Sequence, residues 1–136
     1  MDANYLLGYK DTIGDEGCTL EVDKDDNGGR TWKGISQPMH PNWSGWFVLD
    51  KHIKAGQSLA EIKQDKTLEA MVQAFYYKEF WLKLRINEIK IQSIQLKFFN
   101  TAVNVGLEPA TKFQQASVNL PQTGIVDNAL INALNA

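Results

Sequence analysis

Apolar positions in this chain fall mostly at helical spacing. Tyr5, Leu6, Tyr9 and Ile13 predict a short helix over residues 3–15, ending before Gly17. Leu68, Met71, Val72, Phe75 and Tyr76 recur at i, i+3, i+4, i+7 and i+8, the stripe of a strongly amphipathic helix. Ile91, Ile94, Phe98 and Ala102 trace another, stopped at Gly106. Trp46 to Ile53 reads as a helix, and so do residues 108–118, with Phe113 inward. Ser58 with Glu61 three residues on forms a capping box, and Thr67 is a further N-cap candidate. A turn at Pro121-Gln122-Thr123-Gly124 precedes a last short helix, capped by Asp127 and carrying Leu130 and Leu134.

One interval breaks the helical pattern. Residues 17–35 hold Gly17, Gly28, Gly29 and Gly34 among several acids, which predicts a loop or a small β-hairpin. Residues 36–45, with Pro38, Pro41 and Gly45, are irregular. The expected fold class is therefore mainly α, with one small loop or hairpin element near residues 17–35. There are no internal repeats and no low-complexity segments, and 136 residues suit a single domain over 1–136.

Composition narrows the function classes. Apolar residues make up 43% and charged residues 22%, as in ordinary globular proteins. A net charge of -2 without a basic run argues against nucleic acid as a partner. No apolar run approaches the roughly 20 residues that span a bilayer, so membrane insertion is not expected. The single cysteine, Cys18, permits no intrachain disulfide. The stretch Met1 to Gly8 lacks the basic and apolar regions of a secretory signal. Synthesis in the cytoplasm is expected, and action beyond it would need another release route. No metal or cofactor is called for, and a monomer is expected.

The broken interval carries the candidate chemistry. Glu16-Gly17 closes the first predicted helix, and Asp26-Asn27-Gly28-Gly29-Arg30-Thr31-Trp32-Lys33-Gly34-Ile35 follows. Glycoside hydrolysis needs a protonated acid on the leaving oxygen. Its inverting form adds a carboxylate that orients water, with the two carboxyls roughly 6.5–9.5 Å apart. A helix C-terminus and apolar neighbours would raise the pKa of Glu16, suiting it as the acid. Asp26, in a polar glycine loop, suits the base, and Thr31 would hold the water from its other side. The competing reading is calcium. Asp23-Lys24-Asp25-Asp26-Asn27-Gly28 opens like an EF-hand loop, but position 12, where a bidentate Glu is required, is Gly34. Glu21, Asp23 and Asp25 read as solvated turn residues.

Glu16-Gly17 followed by Asp26-x-Gly28-Gly29-x-Thr31-x-x-Gly34-Ile35-Ser36 resembles the signature of glycoside hydrolase family 108, which reads E-G-G-Y and then D-P-G-G-x-T-x-x-G-I-[ST]. These are phage-type lysozymes, also labelled secretion-activating proteins. Tyr76-Tyr77-x-x-Phe80-Trp81 resembles the family's Y-Y-x-x-Y-W, and Phe99-Asn100-x-Ala102-Val103-Asn104-x-Gly106 its F-D-x-A-V-N-x-G. Residues 107–136 resemble its C-terminal, peptidoglycan-binding-like segment. The resemblance implies an all-α, lysozyme-like domain that hydrolyses peptidoglycan between N-acetylmuramic acid and N-acetylglucosamine, with Glu16 as catalytic acid. Analogy with inverting phage lysozymes gives Asp26 and Thr31 the water. Cys18-Thr19 stand where the family has Gly-Tyr, Asn27 where it has Pro, and Asn100 where many members have Asp. One extra residue also separates Glu16 from Asp26. These departures sustain a rival reading, a non-catalytic wall-binding or envelope-assembly module.

Other residues have weaker claims. Cys18 has no thiol-protease signature around it and reads as a small buried thiol. His40 and His52 lack a zinc-ligand pattern. For Trp32, Trp43, Trp46 and Trp81, core packing competes with stacking on sugar. Trp32 and Tyr77 are the aromatics expected at a cleft, and Tyr76 follows the core stripe. Asn100 and Asn104 sit one helical turn apart and would point together at a substrate amide or hydroxyl, against the alternative of helix-end capping by Asn104.

Overall fold

The computed structural model describes residues 1–14, 20–23 and 29–136. The elements run in the order α1 (Ala3–Thr12), β1 (Leu20–Asp23), β2 (Gly29–Trp32), β3 (Ile35–Ser36), α2 (Gly45–Lys54), α3 (Leu59–Lys63), α4 (Lys66–Tyr76), α5 (Gln92–Val105), α6 (Leu107–Ser117) and α7 (Asn128–Asn135). A π-helical turn over Tyr77–Leu82 and a 3-10 turn over Ile86–Glu88 join α4 to α5. The protein is mainly α with one small antiparallel sheet, as the hydrophobic pattern predicts.

The chain forms two compact units, one of residues 1–12 and 75–136, the other of residues 13–74. In the first, α1 packs on α5. Tyr5 is fully buried and meets Tyr77, Trp81 and Phe99 edge-on, with ring centroids 4.9, 5.3 and 5.7 Å away. Such tilted contacts match positive ring edges to negative faces. Gly8 lets the two helices approach, because a Cβ there would lie 3.1 Å from Leu96 Cδ2 and 3.4 Å from Phe99 Cδ2. The Asn4 amide donates to Gln95 Oε1 and accepts from Gln92, and Gln95 donates in turn to the Ile86 carbonyl. Phe98, Ala102, Ala110 and Leu130 complete this core.

Helix α6 turns differently from its prediction. Phe113 is 60% exposed, while Ala110, Thr111, Gln114 and Gln115 are buried. The reason is a polar hub. Gln115 donates to Thr123 Oγ1 and the Ile125 carbonyl and accepts from the Gly124 N–H, so it stitches the 121–126 loop to the helix. Asp127 caps α7 as expected, accepting from the Leu130 N–H.

In the second unit the sheet has strand order β1-β2-β3. Thr31 pairs with Glu21 on one side and Ser36 on the other. The β2–β3 link is the two-residue turn Lys33-Gly34, with φ of 48° and 82°. Positive φ at both positions gives the twist that a tight hairpin needs, and only Gly34 adopts it without steric cost. Ser58 and Glu61 form the expected capping box on α3. The cap of α4 is Asp65 rather than Thr67. Asp65 Oδ1 accepts from the N–H groups of both Thr67 and Leu68, which places Thr67 inside the helix. Leu68 and Val72 are buried along the α4 stripe, as are Phe75 and Tyr76 at its end, which belong to the first unit.

Candidate functional site

Two of the three candidate catalytic residues, Glu16 and Asp26, lie outside the described residues, as do Cys18 and the calcium-like loop's stretch from Lys24 to Gly28. The third, Thr31, is half-buried at the centre of β2. The strand's alternation sets Thr31 on the opposite face from Arg30 and Trp32. Trp32 is 1% exposed, so its ring is core, and the expected cleft-facing indole is replaced by a packed one.

Charged side chains pin the ends of β2. Arg30 Nη1 lies 2.8 Å from Asp50 Oδ1 on α2, its Nε donates to Gln37 Oε1, and its guanidinium stacks 5.1 Å from the Trp46 ring centre. This hydrogen bond from Arg30, aided by its charge, holds the Asp50 carboxyl below its ordinary pKa. At the other end, Lys33 Nζ lies 2.5 Å from Glu69 Oε2 on α4. The Lys33 side chain is 5% exposed and that of Glu69 31%.

A third pair joins the helices themselves. His52 Nε2 on α2 lies 2.6 Å from Asp65 Oδ2, and Nδ1 faces Gln57 Oε1. With acceptors at both ring nitrogens, the imidazolium is favoured and the pKa of His52 is raised, chiefly by Gln57 and then by Asp65. The bond from His52 in turn lowers the pKa of Asp65. Sequence reasoning missed Arg30, Lys33, Asp50, Glu69 and the His52–Asp65 pair. The available signal was two cations, Arg30 and Lys33, flanking Thr31-Trp32 between Gly28-Gly29 and Gly34.

The other candidates lie in the first unit. Tyr77 opens the π-helical turn, half-buried, with its ring edge-on to Tyr5 at 4.9 Å. π-Helical turns recur at functional sites, and this one falls in the Tyr76–Trp81 block. Asn100 and Asn104 are exposed on α5. Asn104 Nδ2 donates to the Asn100 carbonyl at 2.9 Å and to its Oδ1 at 3.1 Å. Asn100 Nδ2 donates to Thr12 Oγ1 at 3.2 Å. The two amides therefore face together as their spacing implies. Asn104 bonds back along the helix and leaves the end of α5 to Gly106, whose N–H reaches the Ala102 carbonyl. The result is an exposed row of amide and hydroxyl groups, suited to hydrogen bonding with a polar ligand.

The profile of the family Glycosyl hydrolase 108 matches residues 9–106. The chain belongs to glycosyl hydrolase family 108. The match spans Glu16, Asp26, Thr31, Trp32, Tyr77, Asn100 and Asn104, and it ends where α5 gives way to α6. The glycosyl hydrolase 108 region thus includes all of the sheet and helices α2 to α5, while residues 107–136 lie beyond it. No curated protein matches the chain. Among the described residues, no helix of this glycosyl hydrolase is long and apolar enough to cross a membrane.

Proposed function

We propose that this protein is a peptidoglycan-hydrolysing N-acetylmuramidase that cleaves the bond between N-acetylmuramic acid and N-acetylglucosamine. The observation that carries the reading is the family match over residues 9–106, which includes the acid loop and both downstream motif blocks in order. Glu16 protonates the leaving oxygen. Asp26 takes a proton from water on the opposite face of the sugar, and Thr31 orients that water. Tyr77, Asn100 and Asn104 contact the glycan through ring, amide and hydroxyl-directed hydrogen bonds. The protein acts as a monomer in one functional domain. It is made in the cytoplasm and reaches the wall by holin-type release or another route.

The products test the bond. Purified sacculi treated with the protein should release muropeptides with N-acetylmuramic acid at the reducing end, identified by mass spectrometry after reduction. Reducing N-acetylglucosamine would mean the other glycosidic bond. A 1,6-anhydro product would mean that no water is used. Retention on sacculi with no new reducing ends would replace the enzyme with a wall-binding module. Asp26→Asn should lower turnover by about 10²–10⁴-fold if Asp26 is the base, and a change under about threefold would assign the water to another group.

A further inference from the structure

Lys33 combines two features, each of which is costly by itself. Its backbone is left-handed, with φ 48°, a conformation that is strained for a residue with a Cβ. Its side chain is 5% exposed, although it carries a charge. Burial of an ammonium is tolerated only with a partner, and Glu69 supplies one at 2.5 Å. Glu69 sits in the first turn of α4, where a carboxylate also complements the helix dipole. That same turn is fixed by Asp65, which caps α4 through Oδ1 and accepts from His52 of α2 through Oδ2. Arg30 ties the opposite end of β2 to Asp50, also on α2. Thr31 thus lies between two anchored residues, on a strand tied to two helices that are tied to each other.

We propose that Lys33 is a positioning residue of the hydrolytic reaction, locked by Glu69 so that the β2–β3 turn holds the Thr31 hydroxyl where the water must sit. The inference rests on the muramidase reading and assigns Lys33 no contact with the sugar. A hydroxyl that orients a nucleophile has to be placed within a fraction of an ångström, and a strand ending in a strained two-residue turn does not hold such a place unaided. A purely structural Lys33–Glu69 pair would affect stability alone. A positioning pair affects turnover and does so through Thr31.

The test is a double-mutant cycle on soluble, uncrosslinked glycan strands, read as kcat and KM, together with amide hydrogen exchange at Thr31 and Trp32. Lys33→Met should lower kcat about tenfold with KM within about twofold of wild type, and it should speed exchange at Thr31. In a Thr31→Val background, which keeps the branched strand side chain but lacks the hydroxyl, Lys33→Met should change kcat by less than about twofold. Glu69→Gln, milder because Glu69 is partly exposed, carries the same comparison if Lys33→Met does not fold. Equal losses in both backgrounds, or an unchanged kcat in a folded variant, overturn the proposal. A wild-type protein that releases no reducing ends overturns the hydrolase reading and any role in turnover with it. An active wild type whose variants leave Thr31 exchange unchanged overturns this inference alone.

Discussion

His52 shows how a single side chain outside the candidate site governs the unit that carries Thr31. Folding favours its protonated form, because both ring nitrogens meet acceptors. Its contribution to stability is therefore complete below the ordinary value of 6.5 and is lost as pH rises through the elevated folded value. The partner has the opposite sign. Asp65 is held below 3.8, so its contribution is complete above that value and is lost as pH falls further. The pair is thus strongest between about pH 4 and 6.5. The Tm difference between wild type and His52→Gln should be largest near pH 5.5 and shrink above neutrality, as scanning calorimetry across that range would measure. A difference that stays constant with pH would mean that the imidazole acts by packing alone. At this scale the sequence names candidates, of which Glu16 and Asp26 lie outside the described residues. With Thr31 they stand out by residue type and motif spacing. Lys33 and Arg30 do not, because a cation in a loop looks solvated until its partner, thirty-six residues on for Lys33, folds against it.

Elements were read best where one physical rule acted alone. The α4 stripe follows the 3.6-residue period and is buried as that period requires, and Ser58-x-x-Glu61 caps α3 by purely local bonds. Two rules compete at the start of α4. Thr67 and Asp65 are both good cap residues, and Asp65 prevails because one carboxylate serves two helix N–H groups and His52 together. Asp65→Ala should accordingly cost about 1–2 kcal/mol in urea unfolding, whereas Thr67→Ala should cost under about 0.5 kcal/mol. On α6, hydrophobicity alone pointed Phe113 inward, but the buried amide of Gln115 satisfies three groups of the following loop and sets the rotation. Gln115→Ala removes all three of these bonds between helix and loop and should destabilise by about 1–3 kcal/mol. Phe113→Ser, on the exposed face, should stay within about 0.5 kcal/mol. If the two costs came out reversed, this orientation of α6 would be wrong.

For the molecule as a whole, fold class and family were both legible. The helical periods predicted a mainly α chain with one small β element, and the ordered motif blocks resemble the family whose profile spans residues 9–106. Harder to foresee was the support around that β element. Its second strand is held by Asp50 and Glu69, residues on two different helices whose charges have no visible pattern along the chain. The proposed hydrolysis rests on Glu16 as the acid that protonates the leaving group. The most direct measurement is muropeptide release from purified sacculi by wild type and by Glu16→Gln, which preserves shape and removes the proton donor. The account predicts products ending in reducing N-acetylmuramic acid from the wild type and a rate lower by about 10²–10⁴-fold from the variant. Release by Glu16→Gln at the wild-type rate would contradict it.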